Sequence, residues 1–502
     1  MKTYVGIDFG ACDIKAAKIS PQTKRIQPVK LNMNIAGGGA LPAAILYDKI
    51  NDNIEVKVGD SAKFSADTDN KISRLMPKLA RKTWKKFIPN LDAEISAADA
   101  VSDIFKKIWR HIANQAAQDE NFDVTVAVPA TFSDAQKKII RQAAIRADVP
   151  ISNVITAPFA EIFSCEELLT TPDAQNVLVM DFGATTIDAN IFKLERTPKS
   201  LTVTEIFAAN LNYGGANIDY SILINIFTKK YPNLFTIFLE NKFELMALIT
   251  SMKEEIFLDE EEISTGNLID GQGNFYEFEL TRQEVFAALE VDNVEEKIIS
   301  MLDEMFDDAE ISPAEIDIVK IFGGTAAVDY FSDILQNYFG ENIFDAESIE
   351  REGLALNAAI GATNYREMTD EENLRVKVKN FAPCGIYILR GNKFFRCIKR
   401  NELRGFVTPY KPLLVDELKK NNWRLAIYRS FSNAAELPID SNDAVYIGDV
   451  RLSARQYDSE VAILFKMQIN SAGQLIIKFF EDDEQITFVE EKVLDLGKRK
   501  RL

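Results

Sequence analysis

The chain has 502 residues, 47% hydrophobic and 27% charged, with a formal net charge of −18 at pH 7; that is too long for one compact core and too apolar for wholesale disorder. The acidic balance speaks against nonspecific nucleic-acid binding, which needs a basic face. No apolar run reaches membrane-spanning length and no signal-peptide pattern opens the chain, so a cytoplasmic protein with neither nucleic acid nor membrane as partner is expected.

The first element is the apolar run Val5-Gly6-Ile7-Asp8-Phe9-Gly10, within a strand expected over 4–9 and followed by strands over 14–19 and 41–47. Gly37-Gly38-Gly39 reads as a flexible turn before the last of these. From 60 to 118 the pattern reads as helical; it contains the sole histidine, His111, on the surface of an amphipathic helix around Ile104–Ile112. Val124–Pro129 reads as a buried strand, and Ser133 as the N-cap of a helix to about Ala147, with Gln136 at its third position. A short strand at Ile151–Ile155 precedes a helix opened by Pro158 and running to about Leu169.

A second apolar run, Val177 to Phe182, again ends in Asp-Phe-Gly and continues through Ala184-Thr185-Thr186-Ile187-Asp188 into antiparallel strands to about 208. Tyr213-Gly214-Gly215 turns into a helix from about Asn217, and 220–305 reads as mostly helical with a hairpin at 262–280 turning at Asp270-Gly271. A third run, Ile316 to Phe322, ends in Gly323-Gly324-Thr325 before a helix over Ala326–Phe339, and a last helix is expected over Glu352–Thr363. Residues 368–373 are polar and turn-like, and Leu374-Arg375-Val376-Lys377-Val378 alternates as an exposed linker strand would. Residues 380–490 show short alternating runs broken at Gly391-Asn392, Ser471-Ala472-Gly473 and Asp482-Asp483, the pattern of an antiparallel sandwich. Lys498 to Arg501 form a basic tail, read as a solvated terminus. The cysteines, Cys12, Cys165, Cys384 and Cys397, have no C-x-x-C spacing, which argues against a disulfide framework or a zinc site.

A strand ending in a tight turn of small residues brings backbone close to a polyphosphate. Repetition of that device points to two related lobes facing one nucleotide. Asp8 and Asp181, each ending a buried strand, are natural magnesium carboxylates acting through water, with Asp188 in the second hairpin. A single Asp-x-Gly is more simply a surface turn; several such motifs in order are not.

The order and spacing of these elements resemble the nucleotide-binding domain of the 70-kilodalton heat-shock chaperones (DnaK-like). Gly6 to Gly10 is similar to that family's first phosphate loop, and Val126 to Gln136 to its V-P-A-x-F-x-D-A-Q. Asp181 to Asp188 resembles D-L-G-G-G-T-F-D, Tyr213 to Asp219 resembles G-G-x-D-F-D, and Phe322 to Thr325 resembles the adenosine-side Gly-Gly. The C-terminal part resembles the family's substrate-binding sandwich more weakly, through Pro383-Cys384-Gly385-Ile386 and Val461 to Leu475.

The resemblance implies an α/β fold: a two-lobed actin-like (ribonuclease H-like) ATPase domain over 1–366, a linker over 367–379, a small antiparallel β-sandwich over 380–490 and the basic tail over 491–502, with no room there for the family's helical lid. It implies ATP or ADP with Mg²⁺ as cofactors. Asp8, Asp181, Thr186 and Asp188 fall at catalytic positions. Gly10, Ala11, Cys12, Gly183, Ala184, Thr185, Gly214, Gly215, Lys253, Gly323, Gly324 and Thr325 fall at nucleotide-binding ones. Partners would be unfolded or extended peptides, or a partner protein, with co-chaperones. Phe394, Phe395, Ile398, Leu413, Leu414 and Val415 could line a peptide groove, although core packing is the simpler role for each.

Departures stand beside the matches. Ser73 replaces the family's catalytic lysine, Ala157 its glutamate, Ala11 and Cys12 two threonines, and Ala327 the adenine-stacking arginine. Lys71, Arg74 or Lys78 are left as substitute cations. The expectation is a chaperone that couples nucleotide to peptide binding through Leu374, Val376 and Val378, with weak or doubtful hydrolysis. The alternative is a pseudo-ATPase scaffold. A small-metabolite kinase or an actin-like filament protein fits the V-P-A-x-F segment and the appended sandwich poorly.

Overall fold

A computed structural model describes residues 2–19, 25–31, 40–51, 53–73, 75–79, 83–114, 120–132, 134–170, 174–341, 343–344, 353–370, 375–379, 385–400, 402, 406–413, 418–419, 422–430, 434–441, 444–452, 463–469, 474–481 and 486–495. Among these, no helix is long and apolar enough to cross a membrane.

Strand β1 (Lys2–Phe9) is buried throughout after Lys2, as a central strand covered on both faces must be. β2 (Asp13–Ile19) returns antiparallel to it and β3 (Ile26–Val29) extends the meander. Helix α1 (Ala97–Ala113) opens with a capping box between Ser96 and Asp99 and buries Ile104, Phe105 and Ile108 against the sheet. On the other side of β1, β4 (Asn121–Val128) and β5 (Ile151–Thr156) add in parallel, joined by α2 (Asp134–Arg146). The order is β5-β4-β1-β2-β3, and β5 runs directly into α3 (Ala157–Ile162).

The second half repeats the scheme. β6 (Gln175–Phe182), β7 (Ile187–Thr197) and β8 (Ser200–Leu211) form an antiparallel meander. Helices α4 (Gly215–Ser221), α5 (Lys242–Leu258) and α6 (Val294–Ala309) follow, then β9 (Ile318–Phe322), parallel to β6. After α7 (Asn357–Asp370), β10 (Arg375–Lys379) pairs in parallel with β8, giving the order β9-β6-β7-β8-β10. In each sheet the strand ending in Asp-Phe has a hairpin on one side and a parallel strand on the other.

Two helices fill the space between the sheets. α7 lies on β1, where Thr363 Oγ1 donates to the Ala17 carbonyl at 3.2 Å. α3 buries Phe159 and Ile162 against Val177 and Val179 of β6. They meet through Ala157, Ala160, Ala358 and Ala362, with Ala127 of β4 in the same cluster. A Cβ at Gly361 would stand 1.9 Å from the Ala160 carbonyl oxygen, so only glycine permits this approach.

In the C-terminal part, two antiparallel sheets share one core. Ile386, Ile388 and Ile427 of one sheet face Phe465, Met467 and Ile477 of the other. Arg400 joins this part to the second sheet's side: its guanidinium stacks 3.9 Å from the Phe207 ring centroid and pairs with Asp308, while Lys399 pairs with Glu310 at 3.2 Å.

Several expectations are corrected. Residues 60–96 are only partly helical: Lys85–Ile88 and Ala93–Ser96 form a hairpin, turned by Pro89–Leu91 with Asp92 left-handed. The helix expected over 158–169 breaks into α3 and Glu166–Thr170, with Ser164 Oγ just past the end of α3 donating to the Glu161 carbonyl at 2.7 Å. The last helix runs to Asp370, so 367–370 are helical and not turn-like; Arg366 holds that end through Asp370 and Asp123, each at 2.7 Å. The linker strand is paired to β8, with Val376 packed against the core beneath and Lys377 exposed. Phe394, Ile398 and Leu413 are buried, the core-packing role that is the simpler reading for each. Gly37–Gly39, Arg74, Ser133, Leu374, Leu414, Val415, Ser471–Gly473, Asp482-Asp483 and the basic tail lie outside the described residues.

Candidate functional site

The two Asp-Phe turns come near enough for Asp8 to act on Asp181, and the space they share is the crevice of the candidate site. At the end of β1, Gly10 N donates to the Asp13 carbonyl at 3.0 Å, closing the turn that carries Ala11 and Cys12. At the end of β6, Gly183 N donates to the Thr186 carbonyl at 2.9 Å and Thr186 Oγ1 to Asp188 Oδ2 at 3.2 Å, leaving Thr185 exposed at the tip.

The other expected residues buttress that second turn. Gly215 N donates to the Gly183 carbonyl at 3.2 Å and Ala216 N to the Ala184 carbonyl at 2.8 Å, so the Gly214-Gly215 turn sits directly on it. Thr325 Oγ1 donates to the same Gly183 carbonyl at 3.0 Å. Lys253, buried on α5, donates to the Gly215 carbonyl at 3.1 Å and to Asp219 at 2.5 Å. Gly323 has φ +86°, and a Cβ there would meet Asp181 Oδ1 at 2.3 Å; this turn lies against the carboxylate because it has no side chain. Gly324 opens the short 3-10 turn that follows, and Ala327 at its end is buried in the core.

Asp8 is 8% exposed, Asp188 2% and Asp181 half-buried. Burial pushes the Asp8 carboxyl up to about 6, against the lowering effect of Lys15. Burial likewise lifts Asp188 to about 6, opposed by the Thr186 hydrogen bond. Asp181 is raised by burial and then by the charges of Asp188 and Asp8, so carboxylates from both sheets act on one another across the crevice. Glu254 of α5 also interacts with Asp13 and Lys63 from the first sheet's side.

These residues fit a magnesium nucleotide. Carboxylate oxygens are hard donors, and Asp188 Oδ1 is buried with no partner among the described residues. Among those residues, no three acidic, His or Cys side chains converge tightly enough to cage a metal alone. Mg²⁺ habitually takes one or two carboxylates and completes its shell with water and phosphate.

The substitute cations go elsewhere. Lys71 donates to the Lys63 and Ser65 carbonyls, at 3.2 and 2.5 Å. Lys78 reaches the Ser73 carbonyl and lies over the Trp84 ring. Ser73 is exposed, and Ala157 is packed among alanines. Two charged residues at the crevice were not among the sequence candidates: Lys15, 3.9 Å from Asp8 Oδ2, and Glu161, 2% exposed on α3. The Lys15 signal lay in the hairpin register, which sets it opposite Asp8; Glu161 resembled an ordinary polar helix position.

The profile described as Hsp70 protein matches residues 16–409. The chain belongs to the Hsp70 family. Among curated Hsp70 relatives, the chaperone protein DnaK of Thermotoga petrophila is 23% identical over 409 residues, covering 79% of this chain and 65% of that protein. DnaK of Thermotoga neapolitana is 24% identical over the same extent. DnaK of Thermosipho melanesiensis is 22% identical over 510 residues, covering 100% of this chain and 80% of the relative. The chain thus spans just under two thirds of the Thermotoga proteins' length, and it is a divergent Hsp70.

Proposed function

We propose that this chain is an ATP-binding molecular chaperone of the Hsp70 type. A two-lobed actin-like ATPase domain over 1–366 binds ATP or ADP with Mg²⁺ between the lobes. A β-sandwich over 380–490 binds extended peptide or a partner protein, in the cytoplasm and with co-chaperones. The segment 367–379 couples the two, with residues 491–502 as a tail. The observation that carries the reading is the set of mutually interacting carboxylates, Asp8, Asp181 and Asp188, beside a turn buttressed by Gly215, Ala216 and Thr325.

When bound, Mg²⁺ would neutralise phosphate charge, with Asp8 and Asp181 holding it. Backbone groups of 10–12, 183–186 and 323–325 approach the phosphates; Lys253 fixes the Gly214-Gly215 turn; Thr186 orients Asp188. Hydrolysis is slow, because losing one preorganised group typically costs about 100-fold in rate, and Ser73 and Ala157 carry no charge. Calorimetric titration with ATP and ADP, with and without Mg²⁺, tests binding: Mg²⁺-dependent uptake is expected, and its absence ends the reading. The second reading, a pseudo-ATPase scaffold, is favoured by Ala157, which is buried among alanines and carries no carboxylate. Single-turnover assays with labelled ATP separate the two.

A further inference from the structure

The crevice end of β1 holds one cation and one carboxylate that the motifs leave unexplained. Lys15 stands opposite Asp8 in the β1–β2 register, so both side chains leave the sheet on one face. Its ammonium is 3.9 Å from Asp8 Oδ2, beyond hydrogen-bond range, and the side chain is 19% exposed. Among the described residues it donates no hydrogen bond. Its charge also acts on Asp181, across the crevice on the second sheet.

Glu161 approaches from α3. It lies one helical turn beyond Ala157, so the two share a helix face. Its Oε2 is buried without a partner among the described residues, and the charges of Asp181, Asp8 and Asp188 all bear on it. An uncompensated buried carboxylate beside three others opposes folding, and an apolar side chain would be the stable choice there. Such a position is explained by a ligand that supplies positive charge.

We propose that Lys15 supplies the phosphate-facing cation, and Glu161 an additional carboxylate on the metal side, of the nucleotide site between the two Asp-Phe-Gly turns. The charges absent at positions 73 and 157 are provided from the hairpin opposite Asp8 and from one turn further along α3. Lys15 neutralises terminal phosphate, and Glu161 deepens the negative field that draws a divalent cation. This assignment rests on the nucleotide-binding reading above.

Calorimetry on the full chain, with ATP and ADP at high and low Mg²⁺, tests it. Lys15→Met is expected to weaken ATP binding by about tenfold or more, with a smaller loss for ADP, while Lys15→Arg stays near wild type. Glu161→Gln is expected to flatten the Mg²⁺ dependence of ADP binding and to raise the melting temperature of the nucleotide-free chain. Lys15→Gln serves if Lys15→Met does not fold. Wild type binding neither nucleotide overturns the underlying reading. Wild type binding both, with the lysine-to-neutral variants binding equally, overturns the Lys15 assignment alone. An unchanged Mg²⁺ dependence in Glu161→Gln overturns the Glu161 half.

Discussion

Strand β1 has a charge cluster at each end, and the two are built on opposite principles. At its start, Lys2 and Arg366 interleave with Asp123 and Asp370 at 2.5–3.1 Å, and Tyr4 adds a hydrogen bond to Asp370. Burial would raise the Asp123 carboxyl, but the bonds from Arg366, Ser152 and Lys2 outweigh it and hold it below its usual value; the Lys2 bond does the same for Asp370. At its other end, Asp8, Asp181, Asp188 and Glu161 crowd together, with Lys15 as the cation acting on Asp8 and Asp181 among the described residues, and all four are raised. Neutralised carboxylates stabilise a fold without ligand. Acids left in excess are the pattern that the proposed cation site would show.

The largest effect expected from breaking this contrast is at the paired end. Arg366→Ala leaves the buried Asp123 with only Lys2 as an ion-pair partner among the described residues and should cost about 3 kcal/mol in urea unfolding, without loss of nucleotide affinity. At the unpaired end the signs reverse. Asp181→Asn should weaken Mg²⁺-nucleotide binding about 100-fold by calorimetry, the equivalent of about 2.7 kcal/mol, while the nucleotide-free chain melts higher. Gly323→Ala forces a side chain onto Asp181 at positive φ and should cost about 1–2 kcal/mol, with weaker nucleotide binding as a second readout.

The smallest signal is in pH. For the crevice acids, folded values lie above unfolded ones, so their contribution is full below about pH 4 and is lost as pH rises through about 6. For Asp123 and Asp370 the folded values are depressed, so stability is present above about pH 4 and is lost as pH falls further. Melting curves of wild type should drift down by a few degrees between pH 4 and 7, and saturating Mg²⁺-ADP should flatten that drift. A rise over that interval would contradict the excess-acid description.

Much of the candidate site's local geometry was legible because its signals are local. A strand ending in Asp-Phe-Gly encodes both element and turn, and Gly214-Gly215 and Gly323-Gly324 sit in short sequence contexts with one geometric use. The hairpin at 262–280 was legible from alternation about Asp270-Gly271. What escaped depends on distant partners. The strand Arg375–Lys379 alternates like a solvated linker, and only the β8 edge, more than 160 residues earlier, makes it part of a sheet. Glu161 looks solvent-facing until Asp8 and Asp181 arrive from two separate strands. Basic residues such as Lys85 and Lys86 disguised a two-stranded hairpin as helix, because alternation over four residues is too short to distinguish.

The pairing of β10 with β8 carries one more consequence. Parallel addition at Ser200–Thr204 satisfies the peptide groups along what would otherwise be the open rim of the second sheet. Any state in which 375–379 peels away must bare that rim and uncover the apolar patch beneath Val376. Bare rims recruit other strands, so detachment at high protein concentration would show itself first as self-association.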